Sequence, residues 1–172
     1  LVGFSIGSLI ARNFATKFSD RLESLILLGS IYKRSEEQQQ IVNERFDQAK
    51  KELKLSKQAL KRWFTDKYLE NNPETYEKIS SILASNNMAH FLKVYELFVK
   101  HKNEEDFKKI KAKTLVMTGE HDVGSTVEMS QELNKIINNS QFKIIKDGKH
   151  LCGIECADDV NITIKNFVEK NE

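Results

Sequence analysis

The sequence predicts an α/β protein: a parallel sheet interrupted by a helical insertion. Three observations carry that prediction. At both ends of the chain, short apolar runs alternate with amphipathic stretches, the pattern of parallel strands joined by crossover helices. Beyond Tyr32 the middle turns rich in Lys, Glu and Gln and favours helix. Glycines (Gly3, Gly29, Gly119) stand where apolar runs stop.

In chain order, Leu1-Val2 reads as the end of a strand, and Ile6, Leu9, Ile10, Phe14 and Phe18 recur at helical spacing. Ser19-Asp20 interrupts, and Leu22 to Leu28 reads as a short buried strand closed by Gly29-Ser30. Three helical segments follow, Ser35 to Leu55, Ser56 to Glu70 and Pro73 to Lys102, with Asn71-Asn72-Pro73 the clearest break and Pro73 suited to a first helical turn. The Lys-rich run from Asp106 to Lys113 reads as a solvated connection back into the sheet. A strand of Thr-Leu-Val-Met-Thr leads to Gly119, and Thr126 to Ile137 is an amphipathic helix. Gln141 to Lys146 is another strand, the polar turn Asp147-Gly148-Lys149-His150 follows, and a last helix runs from Glu155 to Lys170. The expected organisation is therefore a core of residues 1–32 and 103–172 around a helical insertion, 33–102.

Composition narrows the function. With 172 residues the chain suits one domain with a sizeable core. Its 27 basic and 25 acidic residues are mixed along the sequence, which offers no electrostatic footprint for nucleic acid. No run approaches the roughly 18 to 20 apolar residues of a membrane helix. Cys152 and Cys156 make neither a disulfide framework nor a zinc signature, and are read as free thiols. No metal or cofactor is called for, and a cytoplasmic protein is the simplest expectation. The motif under way at Gly3, with no Met before it, reads as the C-terminal part of a longer protein, so a signal peptide on the far side is untested.

Three segments carry chemistry. In Gly3-Phe4-Ser5-Ile6-Gly7 the glycines allow a sharp strand-to-helix turn that lifts Ser5 clear of the backbone. A serine hydroxyl needs such exposure and a neighbouring base to act as a nucleophile, and the Ile6 N–H is then placed to bind an oxyanion. Asp122 lies just past the end of a buried strand, where α/β sheets keep their reactive groups, with Glu120 and His121 as rivals beside it. Of His90, His101, His121 and His150, only His150 combines a loop after a strand with the chain order Ser, acid, His.

Together Gly3-Phe4-Ser5-Ile6-Gly7, Thr118-Gly-Glu-His-Asp122 and His150-Leu-Cys-Gly-Ile-Glu155 resemble the α/β-hydrolase superfamily, and within it the branch of 3-oxoadipate enol-lactonases and related esterases. The resemblance covers residues 1–32 and 103–172, while the insertion matches as a helical cap. It departs at Lys113, Val127 and Ala157, where proline is common, and at Ser8, where a second glycine is common. The resemblance implies a hydrolase of carboxylic esters or lactones with Ser5 as nucleophile, Asp122 as acid and His150 as base. It also implies a second oxyanion donor from an earlier loop that lies outside residues 1–172. By that reading the isolated chain is feeble, and poorly soluble or molten.

Substrate preference is expected from the cap. Met88, Phe91, Tyr95 and Phe98 form a stripe on one helix face, and Trp63, Phe64 and Tyr68 a second cluster. Trp63, Phe91, Tyr95 and Phe98 are the candidates to line an acyl pocket, with packing of the cap onto the core as the competing role. Two other readings stay open: a carbon–carbon bond hydrolase, acyltransferase or perhydrolase on the same residues, or a non-enzymatic ligand receptor of this fold. The expected partner is a small molecule, and oligomeric state is not legible.

Overall fold

The computed structural model describes residues 1–52 and 58–169. In chain order its elements are β1 (Val2–Phe4), α1 (Ile6–Phe18), a 3-10 turn (Ser19–Arg21) and β2 (Ser24–Leu28). The helices α2 (Glu36–Glu52), α3 (Gln58–Trp63), α4 (Asp66–Asn71), α5 (Pro73–Ala84) and α6 (Met88–Val99) come next. A second 3-10 turn (Phe107–Lys109) precedes β3 (Lys113–Gly119), α7 (Val127–Ile136), β4 (Ser140–Ile145), α8 (Cys152–Glu155) and α9 (Ala157–Glu169). Two compact units result, one built from Leu1–Tyr32 and from Glu104 onward, the other from Lys33–Asn103.

In the first unit all four strands are parallel, in the order β1-β2-β3-β4. The register pairs Leu28 with Met117 and Gly119 with Ile145. One face is packed by α9: Ile26, Leu28, Leu115, Met117 and Ile145 bury with Val160, Phe167 and Cys152. Alternation along a strand sends Leu25, Leu27 and Val116 to the other face, where they are buried as well. There α1 packs on β1 and β2, and α7 on β3 and β4, through Leu9, Ala15 and Leu133. Both crossovers lie on one side, the right-handed solution for strands stepping in one direction. Because the strands are parallel, Ser5, Gly29, Asp122 and His150 all leave the sheet at its carboxyl edge.

A buried ion pair links α1 to the segment that returns from the helices. Arg12 is fully buried, and its Nε donates to Glu105 Oε1 at 2.9 Å. Its Nη1 donates to Ser30 Oγ at 3.2 Å and to the Ile31 carbonyl, and the guanidinium lies 5.3 Å from the Phe107 ring centroid. Burial pulls the guanidinium below its ordinary pKa, and Glu105 opposes that shift. The run after Asp106 is not simply solvated: Phe107 and Ile110 are buried between exposed lysines.

The α/β class and the parallel sheet are as the sequence predicts, with shorter elements. The strand expected from Leu22 begins at Ser24, because the preceding 3-10 turn bonds the Leu22 N–H to the Ser19 carbonyl. Side-chain caps divide the helical unit more finely than propensity suggests. Ser35 and Gln38 exchange hydrogen bonds of 2.9 and 3.1 Å, a capping box that starts α2. Thr65 accepts from the Tyr68 N–H and starts α4, and Asn87 accepts from the His90 N–H and starts α6. The junction expected between Leu55 and Ser56 lies outside the described residues. The final helix is also divided, with Cys156 between α8 and α9.

Within the helical unit, α6 packs on α2. Tyr95 meets the Phe46 ring edge-on at 5.4 Å and lies 5.4 Å from Phe91 and 6.2 Å from Phe98. Arg34 stacks 4.4 Å from the Phe98 ring centroid and donates to the Phe98 carbonyl, tying down the end of α6. Phe64 is buried and stacks on Tyr68, while Trp63 is half-buried at the end of α3. Among the described residues no helix is long and apolar enough to cross a membrane.

Candidate active site

Ser5 sits between the last residue of β1 and the first of α1, with φ 53° and ψ −120°. This positive φ is costly for a residue with a side chain. Neighbouring structure holds it: the Ser5 N–H donates to the Leu28 carbonyl at 3.0 Å, and the Ser5 carbonyl accepts from Ser8 N–H and Ser8 Oγ–H. A serine at a helix start ordinarily spends its oxygen as a cap. Here the side chain makes no capping bond, and Oγ lies 2.9 Å from His150 Nε2. Ile6 opens α1, so its N–H has no carbonyl one turn back to serve.

The two motif glycines are not equivalent. A Cβ on Gly3 would lie 2.5 Å from the Gly7 carbonyl oxygen and 2.7 Å from the Ala11 Cβ, so the close approach of α1 to β1 requires glycine there. A Cβ on Gly7 would meet nothing within 4 Å. The sharp turn thus rests on Gly3 and on the strained Ser5, not on both glycines as the motif suggests.

Asp122 is buried in the loop after β3. Its Oδ2 lies 2.7 Å from His150 Nδ1, while Oδ1 accepts from the Gly124 N–H at 2.8 Å and the Ser125 N–H at 3.0 Å. A carboxylate only accepts, so Nδ1 carries the proton and Nε2 is left as the acceptor for the Ser5 hydroxyl. Buried Thr118 anchors this loop by donating to the Ser125 carbonyl at 2.6 Å. The neighbours of Asp122 take other roles. Glu120 Oε2 accepts the Asp147 N–H at 3.0 Å, and the His121 N–H donates to the Gly148 carbonyl at 2.9 Å. These bonds stitch the acid loop to the histidine loop.

That stitching needs two more glycines' worth of room. A Cβ on Gly119 would lie 2.3 Å from the Lys149 carbonyl oxygen, and one on Gly148 would lie 2.7 Å from the Cys152 Cβ. Glu155 completes the turn by accepting the Lys149 N–H at 3.1 Å. Behind it, burial pushes the Cys152 thiol up to about 12 and the Cys156 thiol up to about 11; both are free thiols. Of the metal-ligand side chains among the described residues, Glu120, His121 and Asp147 come within 4.8 Å of one another, all exposed.

The structure therefore brings Ser5, His150 and Asp122 into one hydrogen-bonded line, with Ile6 beside it. His90 lies in α6 and His101 beyond its end, in the helical unit together with Trp63, Phe91, Tyr95 and Phe98. Sequence reasoning overlooked Gly29, whose φ of 59° favours glycine and where a Cβ would lie in van der Waals range of the His150 ring. Its place immediately after a strand was the available signal. The Arg12–Glu105 pair was also overlooked; an arginine on the buried face of α1, beside Leu9 and Ala15, was the clue. The line can pass a proton from a serine hydroxyl to an imidazole steadied by a buried carboxylate.

Comparison with known proteins agrees with this architecture. Residues 1–155 match a family model described as alpha/beta hydrolase fold. A (E)-2-((N-methylformamido)methylene)succinate hydrolase from Acinetobacter baylyi is 24% identical over 171 residues, covering 98% of this chain and 64% of that protein. A 3-oxoadipate enol-lactonase 2 from the same organism is 23% identical, covering 98% of this chain and 62% of its own length. The chain thus spans less than two thirds of these relatives. The crystal structure of the enol-lactonase from Burkholderia xenovorans superposes with a TM-score of 0.89 at 25% identity, over 98% of this chain and 64% of that one. A thermophilic esterase from Thermogutta terrifontis gives 0.84 at 26% identity, over 99% and 64%. With its family match running from the first strand to the turn beyond His150, the chain belongs to the alpha/beta hydrolase fold family.

Proposed function

We propose that this chain carries the reacting groups of a serine hydrolase for carboxylic esters or lactones. One observation carries the reading: the series Ser5 Oγ, 2.9 Å, His150 Nε2, and His150 Nδ1, 2.7 Å, Asp122 Oδ2. In this mechanism His150 takes the Ser5 proton as Oγ attacks the carbonyl carbon, and the carbonyl electron pair moves onto oxygen. The Ile6 N–H at the start of α1 holds that oxyanion. Asp122 fixes the imidazole tautomer and stabilises the imidazolium. The intermediate then collapses: His150 returns its proton to the leaving oxygen, and an acyl group remains on Ser5. Water, deprotonated by His150, repeats the sequence and frees the acid.

Relatives that hydrolyse an enol-lactone or a methylene-succinate derivative, by their names, support a small-molecule substrate. Trp63, Phe91, Tyr95 and Phe98 are proposed to select the acyl group; their assignment rests on the sequence, and the residues 33–102 are proposed as the cap. The reading is tested by assaying the full-length gene product on p-nitrophenyl acetate and butyrate beside Ser5→Ala. Turnover should fall by about 10⁴- to 10⁶-fold in the variant. Equal rates in both proteins overturn the proposal.

A further inference from the structure

His150 is held by hydrogen bonds through both ring nitrogens, to Asp122 Oδ2 and Ser5 Oγ, and its ring also packs against its neighbours. The Phe4 ring centroid lies 5.1 Å from that of the imidazole, with the planes inclined by 39°. A Cβ on Gly29 would lie 3.4 Å from His150 Cε1, 3.5 Å from His150 Nδ1 and 3.5 Å from Phe4 Cε2. Gly29 is thus the shared floor on which both rings rest, and its positive φ keeps that position for glycine.

We propose that Phe4 is a positioning residue whose π face steadies the positive charge His150 acquires on taking the Ser5 proton. The inference rests on the serine-hydrolase reading and goes beyond it, since nothing in that mechanism calls for an aromatic residue before the nucleophile. The physical basis is the negative face of the ring, which attracts a cation within about 6 Å of its centroid. Phe4 lies at the rim, 36% exposed, so core packing alone does not account for an aromatic side chain there. Asp122 also stabilises the imidazolium, and Phe4 adds to it from the end of β1. Asp122 faces Nδ1 from the β3–α7 loop, Lys149 precedes the histidine in its own loop, and Cys152 opens α8, where burial holds its thiol neutral. The ends of β1 and β2 contribute Phe4, Ser5 and Gly29, none of them charged.

The test compares Phe4→Leu and Phe4→Trp with the unaltered full-length protein on p-nitrophenyl butyrate, following kcat, KM and kcat/KM across pH. Leucine keeps the apolar cover and removes the π face. It should lower kcat about 2- to 30-fold with KM unchanged. Its acidic limb of kcat/KM should move roughly 0.4 to 1.5 pH units lower, because the imidazolium loses its support. Tryptophan, with the stronger face, should move the limb higher, and it tests the idea even if the leucine variant does not fold. Limbs that coincide in all three proteins, or a leucine limb that moves upward, overturn the role of Phe4. Ser5→Ala in the same assay separates this from failure of the underlying reading: if it keeps full turnover, the hydrolase mechanism itself is wrong.

Discussion

Asp122→Asn separates the chemical role of the carboxylate from its structural one. Asp122 accepts three hydrogen bonds, from Gly124, Ser125 and His150. In the variant the amide oxygen takes the place of Oδ1, because only oxygen can accept from the two N–H groups. The amide NH₂ then faces His150 Nδ1 and forces that nitrogen to accept, so the imidazole proton moves to Nε2. Ser5 Oγ, 2.9 Å away, now faces a donor and has nothing to take its proton. Loss of a correct tautomer at constant geometry costs about 10⁴-fold in kcat, or about 5.5 kcal/mol of barrier. Stability should change by less than about 1 kcal/mol, because the loop keeps its bonds.

Asp122→Ala makes the contrast. It removes the acceptor for the Gly124 and Ser125 N–H groups, the second of them buried. The buried Ser125 donor, orphaned, costs about 1–3 kcal/mol while water can serve the exposed Gly124, so the alanine variant should be less stable by about 1–3 kcal/mol and just as inactive. Steady-state rates on p-nitrophenyl butyrate and urea melts measure both quantities. An asparagine variant within about tenfold of the parent rate, against the 10⁴-fold expected from the wrong tautomer, refutes the proton-relay argument. Equal stabilities for the two variants refute the loop argument.

Three further predictions follow from packing and burial. Gly3→Ala, whose Cβ would press on the Gly7 carbonyl and the Ala11 side chain, should cost about 1–3 kcal/mol in a melt and lower turnover; Gly7→Ala, with open space around it, should be neutral or stabilising by up to about 1 kcal/mol. Arg12→Met takes the cation from the buried Glu105 and should cost about 3–5 kcal/mol, much of it recovered in Arg12→Met/Glu105→Leu; a single variant as stable as the parent contradicts the buried-pair account. Burial raises the Cys152 thiol to about 12, so its contribution to stability is complete below the ordinary thiol range and lost as pH rises through it towards 12. Urea melts from pH 8 to 11 should show up to about 1.4 kcal/mol per pH unit less alkaline loss in Cys152→Val, and identical slopes in both proteins count against this.

Local signals explain what could be read in advance. Ser5, Asp122 and His150 each follow a strand, and strands end where glycine and polar residues cluster. Parallel strands carry those ends to one edge, so motif and topology converge on the same few residues. Helix boundaries in 33–103 failed for a local reason too: Thr65 and Asn87 lie inside good helix-forming sequence, yet their side chains cap new helices. Other features were hidden by distance along the chain. Arg12 finds Glu105 after the whole helical unit intervenes, and Phe4 meets His150 from the far end of the sequence. Glu120 shows the cost of judging by type alone. It is as good a carboxylate as Asp122 and two residues away, but the strand's end turns it toward the Asp147 N–H, where it fastens the loop that carries His150. The residue next to the reacting groups thus orders their loops, a division of labour settled by backbone direction rather than by side-chain chemistry.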